Sequence, residues 1–136
     1  MDVRSGGGAR PAVVCCHGVG ESGDLGFFPA LEDRLARAGF AVVTFDSVAD
    51  LGIVLDALSG GDLGDVPTAI GVIGHNLGGS IAGVRAVVTW GSEPRAPQSG
   101  EAPVLELRLT KPWAGPSPEY DHVFDAMVNW FGRHLA

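Results

Sequence analysis

From Pro11 onward, short apolar runs alternate with stripes of apolar residues at helical spacing. Pro11 to Cys16, rich in Val and Cys, reads as a buried strand. From Phe28, apolar residues recur at Leu31, Leu35 and Ala38, which predicts a helix. Pro29 suits its first turn and Gly39 its C-terminal stop. Ala41 to Phe45 is a second strand, ending at Asp46. Leu51, Val54, Leu55 and Leu58 form the next helical stripe, stopped by Gly60 and Gly61. Ala69 to Ile73 is a third strand, followed by a Gly-rich turn and a very short helix. Ala86 to Trp90 is a fourth strand. Residues 91–103 are rich in Pro, Ser, Gly and Glu without apolar periodicity, so they read as loop. Val104 to Leu109 alternates apolar and charged, the pattern of a half-exposed strand at a sheet edge. Ser117-Pro118-Glu119 opens a final helix, with Ser as N-cap and Pro at the first position. That helix carries Tyr120, Val123, Phe124, Met127, Phe131 and Leu135 on one face. Residues 1–9, with Ser5-Gly6-Gly7-Gly8, read as a flexible tail, and 10–136 as a single domain.

Strands alternating with helices at this spacing predict an α/β fold, with about five mostly parallel strands and flanking helices. Right-handed crossovers bring the C-terminal ends of the strands to one rim, where ligands bind in such sheets. His17-Gly18, Asp46, Asn76 and Trp90-Gly91 all fall at that rim.

Composition narrows the function classes. The chain has 136 residues, 46% hydrophobic and 18% charged, enough for one globular core. Lys and Arg number 9 against 16 Asp and Glu, a formal net charge of −7. No basic run exists, so neither nucleic acid nor a membrane surface is an expected partner. The two cysteines, Cys15 and Cys16, are adjacent; on a strand they point to opposite faces, and a disulfide between them would be strained. Two reduced thiols and no apolar signal segment fit a cytoplasmic protein. No metal-binding spacing, P-loop or dinucleotide fingerprint occurs, so no metal or cofactor is expected.

Candidate chemistry concentrates after the third strand, at Gly74-His75-Asn76-Leu77-Gly78-Gly79. Strand, Gly-x-x-x-Gly turn and helix is the layout of a nucleophile elbow, whose central side chain projects above the sheet. Gly74 and Gly78 leave room for the crowded backbone, and Gly79 lets the helix pack closely. The Leu77 N–H opens the helix and faces developing negative charge. The loop after the first strand, His17-Gly18-Val19, would supply a second oxyanion donor from the Val19 N–H. The nucleophile position itself holds Asn76, an amide with no ionisable proton for a base to take. Of the four histidines, His122 is the one candidate base, set in the first turn of the last helix near the rim. Its plainer role is that of a surface residue. Glu93, after the fourth strand, is the candidate acid, beside Asp46.

These segments resemble the α/β-hydrolase superfamily, closest to its small bacterial dienelactone-hydrolase-like and serine-esterase-like branches. Val13-Val14-Cys15-Cys16-His17-Gly18 looks like the strand and oxyanion loop. Gly26 through Asp46 looks like the first helix and next strand, and Gly74 through Gly79 like an elbow of Gly-His-Ser-x-Gly-Gly form. Pro112 through Leu135 is similar to the closing loop and helix. The resemblance implies a reduced α/β-hydrolase fold and hydrolysis of ester bonds, but the chain departs from the pattern. Serine is replaced by Asn76, and the segment that carries the acid and the histidine in that family is cut. The resemblance therefore implies a catalytically impaired relative that retains small-molecule ligand or partner binding. The other reading is a weak or atypical esterase or dienelactone-hydrolase-like enzyme of small ester or related acyl substrates. Shortened cover helices are expected to leave apolar sheet exposed, which favours a homo-oligomer.

Overall fold

The structure, a computed structural model, describes residues 2–4, 10–16, 27–45, 51–61, 66–75, 84–90, 103–107 and 118–135. The elements in chain order are β1 (Asp2–Arg4), β2 (Ala12–Cys16), α1 (Phe27–Arg37), β3 (Ala41–Phe45), α2 (Leu51–Ser59), β4 (Ile70–His75), β5 (Ala86–Trp90), β6 (Val104–Leu107) and α3 (Pro118–Leu135). They build one sheet in the order β1-β3-β2-β4-β5-β6. Strands β2 to β6 pair in parallel throughout, and β1 pairs antiparallel with β3. The fold is α/β, a parallel sheet flanked by helices.

Two expectations from the sequence need correction. Residues 2–4, read as part of a tail, form β1, with Asp2 opposite Thr44, Val3 opposite Val43 and Arg4 opposite Val42. Local pattern carries no sign of this strand, because its pairing is supplied by an edge that lies some forty residues further along. The third predicted strand, in turn, does not stop at Ile73. It runs on through Gly74 and His75, which pair with Thr89 and Trp90 of β5. The ladder extends past the last apolar residue, so the first two residues of the expected turn are still strand.

The period of two along each strand sorts side chains onto two cores. Val13, Cys15, Val42, Ile73, Ala86 and Val88 face α1 and α3. Val14, Val43, Val72 and Val87 face α2, whose Val54, Leu55 and Leu58 cover them. Strands buried on both faces explain why these runs are continuously apolar. Cys15 is fully buried on the α1/α3 side.

The helix ends follow their local chemistry. After α1, Gly39 has φ 97°, its N–H donates to the Ala36 carbonyl (3.1 Å) and the Phe40 N–H donates to the Leu35 carbonyl (3.2 Å). This pair of bonds is a Schellman stop, and the buried Leu35 and Phe40 supply its apolar contact. Gly61, with φ 78°, ends α2 in the same left-handed conformation, its N–H donating to the Leu58 carbonyl (3.2 Å). Helix α3 buries Tyr120, Phe124, Met127, Phe131 and Leu135, as its apolar spacing predicts.

Helix α3 runs antiparallel to the strands. Phe131 meets Phe40, just before β3, with ring centroids 6.4 Å apart. It also abuts Gly71, one residue into β4. Further up both helices, Arg34 of α1 donates from Nη2 to Asp121 Oδ1 at 2.6 Å and from Nη1 to Asp125 Oδ1 at 2.8 Å. Its guanidinium also lies over the Phe124 ring, 5.6 Å from the centroid. The last turn of α1 is thus tied to the first half of α3 by a charged clasp, while the second half of α3 packs through Phe131 on Phe40 and the sheet.

Candidate functional site

The sheet order decides where a site can form. From β2 the chain passes to β3 on one side of it, then returns to β4 on the other. Here the direction of winding reverses, and the crevice outside the C-terminal ends of β2 and β4 is the general ligand position in open parallel sheets. The register pairs Cys15 with Ile73, so the ends of these two strands stand side by side. The segment beginning at His17 leaves the end of β2, and the segment beginning at Asn76 leaves the end of β4. Two stretches singled out from sequence, 17–19 and 74–79, therefore start from neighbouring strand ends at the switch point.

Of the expected site residues, Gly74 and His75 are placed, both on β4. Gly74 is buried in the sheet beside Thr89. Asn76, Leu77, Gly78 and Gly79 lie outside the described residues, as do Gly18, Val19, Asp46 and Glu93. His122 is placed, and its position is informative. Nine residues separate it from Phe131, about 13 Å along a helix. Gly71 to His75 spans about 13 Å along a strand. His122 thus stands level with the end of β4. At about 100° per residue, however, it falls opposite the buried face formed by Tyr120, Phe124, Met127 and Phe131. It is exposed to solvent, with the body of α3 between it and the sheet. The height suits a catalytic base and the direction does not, so the candidate drawn from sequence spacing does not face the crevice.

Thr89 is a residue that pattern reading passed over. It is the one buried polar residue among the described positions, fully enclosed, and sits next to Gly74 near the rim end of β5. Its signal was a single hydroxyl inside the apolar run Ala86-Val87-Val88-Thr89-Trp90, which reads equally well as β-branched filling.

Among the described residues no group of three or more His, Cys, Asp or Glu could hold a metal ion. Nor, among them, is any helix long and apolar enough to cross a membrane. Comparison with known protein families, curated proteins and solved structures finds no match to this chain.

Proposed function

We propose that this chain is an α/β-hydrolase-like domain that binds a small carbonyl- or carboxylate-bearing molecule at the β2/β4 crevice without turning it over. The observation that carries the reading is the side-by-side ending of β2 and β4 at the point where the sheet reverses its winding. The motif segments 17–19 and 74–79 both start there. Backbone N–H groups at Val19 and Leu77 would hold the ligand oxygen, the first from the loop after β2 and the second from a helix opening, where amides favour negative charge. Asn76 would act as a hydrogen-bonding side chain, because an amide offers no proton for a base to remove and is a poor nucleophile. The outward direction of His122 supports the same conclusion, since a base must come within hydrogen-bond reach of its target.

Turnover of a short-chain aryl ester by the wild type, Asn76→Ser and Asn76→Ala tests the reading. All three are expected to show no enzyme-level turnover, Asn76→Ser included, because a serine with no base to take its proton is a weak nucleophile and an oxyanion pair alone leaves only a small residual rate. Hydrolysis by the wild type that disappears in Asn76→Ala would overturn the proposal in favour of an active esterase.

A further inference from the structure

The edge of the sheet beyond β3 has the makings of a self-association site. Strand β3 reads Ala41-Val42-Val43-Thr44-Phe45, with no charge, no proline and no glycine. Val42 is buried in the α1/α3 core and Val43 in the α2 core, so the strand is apolar toward both faces. One side of its backbone is consumed by β2. The other side would present unpaired N–H and C=O groups along a β-branched run, the composition that pairs readily with another chain. What meets it is β1, three residues long and charged at two of them, Asp2 and Arg4. A very short strand carrying charges is a common means of blunting a sheet edge.

We propose that β1 is a cap, supplied by the chain itself, that keeps the β3 edge from pairing with a second copy of this protein. The partner is a second copy because an antiparallel edge is self-complementary under two-fold symmetry: β3 of one molecule offers β3 of the next the antiparallel geometry that β1 already occupies. A ladder of three residues contributes few hydrogen bonds, and each nets only about 1 kcal/mol. The cap therefore shields the edge without its backbone ladder being a large part of the stability of the fold, and its removal is expected to leave the sheet folded.

The test compares the full chain with a variant lacking residues 2–9 and with full-length Val3→Pro, which removes a backbone donor from β1. Sedimentation velocity across a wide range of concentration reads mass, and far-UV circular dichroism with urea unfolding reads the fold. Both variants are expected to remain folded and to shift to a twofold mass at concentrations where the full chain does not. Adding Thr44→Lys, a charge on the uncapped edge, is expected to return the shortened variant to the mass of the full chain. Folded variants with unchanged mass would overturn the proposal, as would association indifferent to Thr44→Lys. Unfolding of both variants would overturn it too, since β1 would then belong to the structural core and not to its protection.

Discussion

Gly71→Ala is the most direct test of how α3 is seated on the sheet. A Cβ built at Gly71 would lie 2.5 Å from Phe131 Cε1, 2.7 Å from Phe131 Cδ1 and 3.0 Å from Leu135 Cδ1. Carbon atoms in good contact stand about 3.5–4.0 Å apart, so the new methyl overlaps its neighbours by about 1 Å. Neither neighbour has free space to retreat into: Phe131 is 0% exposed and Leu135 2%. Overpacking a filled core typically costs about 1–3 kcal/mol. Against this, alanine restricts the unfolded chain more than glycine, which returns about 0.4–1 kcal/mol. The balance is a loss of about 1–2 kcal/mol. For a domain of this size that lowers Tm by roughly 3–10 °C. In urea, with m near 1.5 kcal/mol per molar, the midpoint falls by about 1 M. The two closest overlaps are with the Phe131 ring, so Phe131→Leu should relieve part of the strain. The double variant is then more stable than the sum of the single changes requires, by about 1 kcal/mol. A Gly71→Ala midpoint equal to that of the wild type would refute the packing argument. So would strict additivity with Phe131→Leu, which would place the strain elsewhere.

Smaller perturbations probe the other parts of the frame. Arg34→Ala removes both the Asp121 and Asp125 bonds and leaves two carboxylates one helical turn apart. Because the groups are partly exposed, the expected loss is about 1 kcal/mol, and it should shrink when the comparison is repeated at high salt. Gly39→Ala meets no atom within 4 Å, so its effect is purely that of a left-handed backbone, roughly 1–2 kcal/mol in thermal unfolding. Gly39→Asn should lose visibly less, since asparagine tolerates that region better, and equal losses would argue against the Schellman account of the α1 stop.

Much of the frame was legible in the chain because it rests on local rules. Apolar runs buried on both faces, helical stripes and the Gly39 stop each announce themselves within a few residues. The bounds of β5 and the face of α3 follow directly from them. The edge position of β6 was readable too, from Val104-Leu105-Glu106-Leu107, where a charge interrupts the apolar run. The candidate site was legible only in outline. Spacing could name Asn76, the Gly-rich turn and the loop at 17–19, but it could not say which strands stand next to each other. His122 shows the limit most clearly. Its place along the chain put it near the rim, and the rotation of α3, set by which residues Tyr120 to Leu135 bury, turned it outward.

The sequence by itself thus determined the class of the fold, because periodicity and turn chemistry are properties of single segments. The tertiary structure alone decided three matters: that β2 and β4 are neighbours, that a three-residue strand returns to cover β3, and that glycine at 71 is where a phenylalanine ring must pass. Each depends on parts of the chain far apart in sequence, and their meeting is fixed by the joint burial of whole elements, which no local pattern encodes.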